Sequence, residues 1–426
     1  MIILFVSLAI FFTISVPIAV ALGFSSLIVM NINGMPMLML PLKAYESLNS
    51  FTLLAIPFFI LAGHIMQSGG ISKRLINLAN VLVGWIRGGL GAVAVLTSMI
   101  FATMSGSSSA TTAAIGSTLI PAMEKKGYPK RFAAATCASS GELGAIIPPS
   151  INMIMYGLVA NVSIGNLFLA GFIPGILVGL SLIVTIIVIA RVRDFDAVTK
   201  ISKSEWLKEF VKALADSFLA LLMPLIILGG IFLGWFTPTE ASVIAVVYGF
   251  IVSFVFYKEL KFKDILPILS KSARSSAIIL IIVAFASIFG YILTTAQVPH
   301  LLGETITNFT TNPIVFLLLA NLLLLVTGMF IEGIAAIVIL VPILAPMAST
   351  FGIDPIHFGI VMIVNLAIGM VTPPVGVNLY VACQIANLRI DQIIRPVLLF
   401  LGVLIVDLLI ITYIPFLSTW LPSLAN

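Results

Sequence analysis

Apolar residues in this chain come in long runs separated by short polar interruptions. The runs fall at 2–30, 51–69, 89–104, 133–160, 165–190, 216–235, 240–257, 275–295, 314–331, 357–383 and 396–417. Most approach or exceed the roughly 20 residues that an α-helix needs to cross the hydrocarbon of a bilayer. A helix that is apolar all round has no face for water, so each run predicts a membrane-spanning helix rather than an amphipathic surface one. The run 2–30 is too long for one upright helix, and reads as one tilted helix or two short ones broken near Pro17. Two further apolar segments, 105–122 and 330–348, are interrupted by small residues and prolines. The fold class that follows is an all-α polytopic membrane protein with about 10–12 transmembrane helices.

Composition agrees. The chain is 61% hydrophobic and 9% charged over 426 residues, against roughly 25% charged in a soluble domain. The longest polar stretch, 191–212, leaves no room for a separate soluble domain, and its mixed charges read as a cytoplasmic amphipathic connector. The N-terminal MIILFVSLAIFF lacks the basic start of a cleavable signal and reads as a retained membrane segment. The net charge of +5 does not point to nucleic acid, because the Lys and Arg residues are confined to short loops with no basic patch interleaved with aromatics. Cys137 and Cys383 sit in apolar runs as small core residues. The scattered His64, His300 and His357 form no metal spacing, and no GxxxxGK[ST] loop is present.

The positions of the charges give an orientation. Lys73 to Arg87, Lys125 to Arg131, Arg191 to Lys212, Lys258 to Arg274, and Arg389 with Arg395 are the basic loops, and they should face the cytoplasm. Loops 161–166, 236–241, 296–313 and 350–356 hold no Lys or Arg and should face the other side. The C-terminus, one span later, should then be periplasmic.

An internal repeat emerges when the chain is slid on itself by 225 residues. Pro121 meets Pro346, Gly127 meets Gly352, Gly144 meets Gly369, and Pro148–Pro149 meets Pro373–Pro374 without a gap. The coincidences fall on helix-breaking residues, where the backbone must do something specific. The charges reverse under the same offset. Basic loops 73–87 and 124–131 correspond to the bare 298–312 and 349–356, and the bare 161–166 corresponds to 386–391, which holds Arg389. The halves are therefore two inverted repeats, a design shared by many secondary transporters.

Four interruptions could carry chemistry. MSGSSSATTAA, Met104–Ala114, fits a re-entrant hairpin with its tip inside the membrane. Open backbone carbonyls are tolerated there only when buried in protein or lining a cavity. Together with hydroxyls they suit a hard cation, and close helix packing through small residues is the other reading. GELGAIIPPSIN, Gly141–Asn152, must break a helix near Gly144–Pro148, because two prolines remove two amide donors and free carbonyls such as those of Gly144 and Ile147. Ser150 and Asn152 then begin a half-helix whose N-terminus attracts an anion. Glu142 is a carboxylate at depth, either functional or paired as a cap. GMFIEG, Gly328–Gly333, and GMVTPPVGVN, Gly369–Asn378, are the counterparts, with Glu332 aligned to Ser107 and Thr372 beside freed carbonyls. A channel or membrane-embedded enzyme is the alternative class, resting on the clustered hydroxyls and Glu142. The two related halves favour a transporter.

The motifs IPFFILAG at 56–63, MSGSSS at 104–109, GAIIPPS at 144–150, AGFIPG at 170–175, TPTE at 237–240 and TPPVG at 372–376 cover nearly the whole chain. With them the chain resembles the large membrane subunit of tripartite ATP-independent periplasmic (TRAP) transporters. The resemblance implies an elevator-type carrier, with two hairpins in a moving transport domain inside a scaffold, importing an organic acid driven by two or more Na⁺ ions. It implies two partners, a small four-helix membrane subunit on a separate chain and a soluble periplasmic substrate-binding protein, in a bacterial inner membrane. C4-dicarboxylates are the expected substrates, with sialic acid or another sugar acid as the rival. Carried over, one ion site would use Ser105, Ser107 and Ser109 with Gly144, Ile147 and Pro148. A second would use Gly328, Glu332, Gly333, Gly369 and Thr372, and substrate would lie near Ser108, Ser150, Asn152 and Asn378. The expected organisation is N-terminal scaffold helices at 1–50 and a first repeat at 51–190, with hairpin 105–122 and broken helix 133–160. A connector with two linking spans follows at 191–274. The second repeat is at 275–420, with hairpin 330–348 and broken helix 357–383.

Overall fold

A computed structural model describes residues 2–193 and 202–425. Part of the expected connector, 194–201, lies outside the described residues. The N-terminal run is broken in two. Helix α1 (Ile2–Thr13) and α2 (Ile18–Ile32) are separated before Pro17 and pack on each other, and α3 (Met39–Leu48) follows.

The first repeat then contributes eight helices. These are α4 (Ala55–Ser68), α5 (Ile71–Val83), α6 (Gly89–Ser105), α7 (Ser108–Lys125), α8 (Lys130–Gly141), the single turn α9 (Leu143–Ile146), α10 (Ile151–Ala160) and α11 (Ile164–Val192). Helices α12 (Lys203–Phe232) and α13 (Pro238–Ile251) follow, and α14 (Phe262–Thr295) runs from the expected connector into the expected second repeat. The chain ends with α15 (Val298–Phe309), α16 (Pro313–Phe330), α17 (Gly333–Thr350), α18 (Pro355–Gly369), α19 (Val377–Ala386), α20 (Ile390–Tyr413) and α21 (Phe416–Ala425). By length and composition, seven of the described helices are apolar enough to cross a membrane, or nine if the bent pairs α3–α4 and α8–α10 each count as one span. Helices α1, α2, α6, α18 and α19 are shorter but also apolar.

Local sequence accounts for the ends. Thr237 caps α13 in a reciprocal box with Glu240, and Pro238 supplies the first-turn residue that needs no amide. Asp354 caps α18 by accepting from the Ile356 and His357 amides, at 2.8 and 2.9 Å. Both Pro–Pro bonds, Pro148–Pro149 and Pro373–Pro374, are cis.

The 225-residue offset runs through the helices. Helices α7 and α17 begin and end 225 residues apart, as do the ends of α6 and α16 and the starts of α8 and α18. The packing follows the same symmetry. After each break the half-helix seats on the other repeat's hairpin, α10 on α17 and α19 on α7, while α20 packs against α8 and α11.

Hairpin boundaries differ from the sequence reading. Segments 105–122 and 330–348 are second arms rather than whole hairpins, and the apolar runs before them, α6 and α16, are the first arms. Each arm has 17 or 18 residues, about 26 Å of helix at 1.5 Å per residue. The turn needs only two residues because Gly106 takes φ +60°, open to a residue without a Cβ, and Ser107 then caps α7. The basic loop 258–274 is likewise mostly helix, since α14 begins at Phe262.

Outward faces carry apolar stripes at helical spacing. Leu180, Val184 and Val188 on α11 and Leu318, Leu322 and Val326 on α16 are all exposed, as a lipid-facing surface requires. Outside these spans a charged knot ties α5 to α12 and to the segment before α14. Arg74 reaches Glu259 at 2.8 Å and Asp216 at 3.4 Å, with its guanidinium 3.7 Å from the Tyr257 ring centre.

Candidate ion and substrate site

Each hairpin tip is tied to a helix break. The Ile151 amide, at the start of α10, donates to the Gly106 carbonyl at 3.1 Å. In the second half the Gly376 amide donates to the Met329 carbonyl at 3.3 Å. These bonds hold each tip level with its break. The first break is buried inside protein, where a non-helical backbone is tolerated, while Phe330 and Val375 at the second are exposed.

The first tip gathers oxygen atoms. Ser105 Oγ and Thr111 Oγ1 are 2.8 Å apart, Thr111 Oγ1 donates to the Ser107 carbonyl at 2.8 Å, and Ser107 Oγ lies 3.4 Å from Ser109 Oγ. Gly144 closes the group, since a Cβ there would stand 2.5 Å from both the Ser107 carbonyl oxygen and Thr111 Oγ1. Pro148 has no amide to offer the Gly144 carbonyl, which stays open for a ligand. Ser105, Ser107, Ser109 and Gly144 are therefore brought together, and Thr111 joins them. Ile147 and Pro148 are the backbone of the break, and the Ile147 side chain turns towards Gly175 on α11.

The second tip is built on close backbones. A Cβ on Gly369 would stand 2.5 Å from the Gly328 Cα. Thr372 sits on the same turn, its hydroxyl donating to the Ile368 carbonyl at 2.7 Å. Gly328, Gly369 and Thr372 thus form one group. Glu332 and Gly333, expected with them, point elsewhere. Glu332 lines the central cavity, and Gly333 lies against Asn152, where an added Cβ would be 2.8 Å from Nδ2. The reason is that Glu332 is the N-cap of α17, one residue past the extended Ile331 that turns the chain away from α16.

That cavity has a volume of about 560 Å³. One wall is the hairpin tips and breaks, with Ser105–Ala110, Asn152, Glu332 and Met370, and the other is α4 and α14, with His64, Gln67, Lys271 and Ser275. Of the expected substrate residues, Ser108 and Asn152 line it and Ser150 and Asn378 do not. Ser150 is fully buried and donates to the Ala145 carbonyl at 2.6 Å, replacing the amide that Pro149 lacks. Asn378 is also fully buried, and its side-chain amide has no hydrogen-bond partner among the described residues. Gln67, Lys271 and Ser275 were not singled out from sequence, and His64 was noted only as one of three scattered histidines. A wider cleft of about 860 Å³ lies at the basic ends of α5 and α7. Its lining carries both signs of charge and includes no residue of either tip.

Comparison with known proteins gives one consistent answer. The family described as "Tripartite ATP-independent periplasmic transporter, DctM component" matches residues 5–417. The C4-dicarboxylate TRAP transporter large permease protein DctM of Pseudomonas aeruginosa is 45% identical over 90% of this chain and 89% of its own. The sialic acid TRAP transporter large permease protein SiaM of Vibrio cholerae is 41% identical over 88% and 87%. Among solved structures, the YdaH transporter of Alcanivorax borkumensis, described as having an unusual topology, superposes with a TM-score of 0.56 at 18% identity, covering 89% of this chain and 86% of its own. That likeness concerns the fold alone. This multi-spanning membrane protein belongs to the DctM family, the large permease subunits of tripartite ATP-independent periplasmic transporters.

Proposed function

We propose that the chain is the carrier of a Na⁺-driven uptake system for an organic acid anion, working by an elevator movement of the two hairpins. The observation that supports this most is the pairing of each hairpin tip with a helix break around one cavity. Cation-type oxygens cluster at Ser105, Ser107, Ser109, Thr111 and Gly144, with a second group at Gly328, Gly369 and Thr372. In this reading Na⁺ occupies the groups of oxygens at the two tips. Substrate lies between them against Ser108 and Asn152, and the tips cannot close on it until the ions have ordered their carbonyls. The two-walled cavity supports the elevator, because the hairpins can slide with their contents along α4 and α14.

Relatives that carry C4-dicarboxylates and sialic acid favour a carboxylate substrate here too. The partners are a small four-helix membrane subunit and a soluble periplasmic binding protein that delivers the substrate. The membrane is the bacterial inner membrane, with the basic loops cytoplasmic and the C-terminus periplasmic. The test is uptake of radiolabelled fumarate or N-acetylneuraminate into proteoliposomes containing the chain with both partners. An inward Na⁺ gradient should drive accumulation, and accumulation that persists without any ion gradient would count against the reading.

A further inference from the structure

We propose that Lys271, flanked by His64 and Ser275, is an anion-holding subsite of the central cavity and takes a carboxylate of the substrate. The proposal rests on the transporter reading above and deepens it. Lys271 is the one Lys or Arg among the described residues lining that cavity. It makes no ion pair with any described residue. Lys271 is exposed, and most of the cavity around it is lined by apolar side chains such as Ile278, Ile279 and Ile282. A cation without a counter-charge in such a concave site is an available partner for an anionic ligand.

Its setting is built. Lys271 lies nine residues inside α14, which begins at Phe262, so a helix and not a loop holds its backbone. The next residue, Ser272, has its Oγ 2.8 Å from His64 Nδ1, which pins α14 to α4 at this level. Ser275, one turn further along α14, lines the same cavity and offers a hydroxyl to an anion held by the ammonium. The one acidic residue in the lining is Glu332, at the second hairpin. The cavity is therefore polarised. A cation is favoured at the hairpin side and a carboxylate at the α14 side. Because Lys271 stands on the wall that belongs to neither hairpin, a hairpin that carries substrate away leaves the ammonium behind.

The experiment is a thermal-unfolding titration of the full chain with its small membrane subunit in nanodiscs, in NaCl and without the binding protein. The probes are fumarate and N-acetylneuraminate, each against a neutral amide analogue. At least one acid should raise the wild-type unfolding midpoint, and its neutral analogue should not. In Lys271→Gln the half-effective acid concentration should rise about ten-fold or more, the worth of one charge-assisted contact. Lys271→Arg should stay within a few-fold of wild type, and neither substitution should change the ligand-free midpoint. An acid titration identical in wild type and Lys271→Gln overturns the Lys271 assignment and leaves the transporter reading standing. Neutral analogues as effective as the acids in wild type would overturn the anion reading together with it.

Discussion

Gly144 and Ser107 meet backbone to backbone. A methyl group on Gly144 would stand 2.5 Å from the Ser107 carbonyl oxygen, well inside van der Waals contact. The partner is backbone, so nothing flexible can give way. Gly144→Ala should therefore push the first hairpin tip off its break. Overpacking of this kind costs about 1–3 kcal/mol. Gly369→Ala should do the same at the second tip, 2.5 Å from the Gly328 Cα. Gly402→Ala is the control, since nothing lies within 4 Å of its added methyl and an exposed helical Gly→Ala change is neutral or mildly stabilising. Unfolding midpoints and Na⁺-dependent uptake of the three variants check this. Uptake at wild-type level in both Gly144→Ala and Gly369→Ala would refute the close approach.

Ser107→Ala combined with Thr372→Val should raise the Na⁺ concentration that half-saturates uptake. Both hydroxyls sit at the proposed ion groups, one at each tip. The structural cost should be small, because Ser107 caps α7 through a long 3.5 Å contact with Ala110 N and a cap is worth about 1 kcal/mol. Thr372 gives up one hydrogen bond, to Ile368 O. Unchanged Na⁺ dependence in the double variant would remove these hydroxyls from the ion sites.

The knot around Arg74 should make stability depend on pH. Burial alone would raise the Glu259 carboxyl, but the hydrogen bond and charge of Arg74 and the charge of Lys73 outweigh it and hold it below its usual 4.5. A carboxylate depressed in the folded state stabilises above its unfolded pKa and loses that contribution as pH falls through the folded value. The difference in unfolding midpoint between wild type and Glu259→Gln should therefore be full above about pH 5 and shrink below 4.5. A difference that stays constant from pH 7 to pH 4 would dissociate Glu259 from the knot.

The positions of the breaks were legible because proline is unambiguous. Pro148–Pro149 and Pro373–Pro374 remove amides wherever they stand, and the 225-residue spacing between them recurs in the helix ends. The extent of the hairpins was not legible. Residues 89–104 are apolar enough to read as a separate span, so the small residues after Met104 suggest a hairpin lying wholly within 105–122 rather than one whose first arm is α6. Lys271 was hidden for a similar reason. Among Lys258, Lys261, Lys263 and Arg274 it reads as one more loop charge, and only the early start of α14 places it on a helix wall. Ser150 misled in the opposite direction, since a hydroxyl after two prolines looks like a ligand group, while the missing Pro149 amide gives it a structural partner in Ala145.

Glu142 should lower the stability of the fold. It is fully buried, and neither carboxylate oxygen has a hydrogen-bond partner among the described residues. The other acid that bears on it, Asp407 on α20, accepts the Ser181 hydroxyl instead. A buried polar group without partners costs about 1–3 kcal/mol, and an apolar side chain of similar volume avoids that cost. Glu142→Leu should therefore raise the thermal unfolding midpoint, and Glu142→Gln, which keeps the polar atoms, should change it less. Equal uptake in Glu142→Leu and wild type would assign the carboxylate no part in transport. A midpoint lowered by Glu142→Leu would mean that the carboxylate has a stabilising partner, and the account of it as an orphaned group would be wrong.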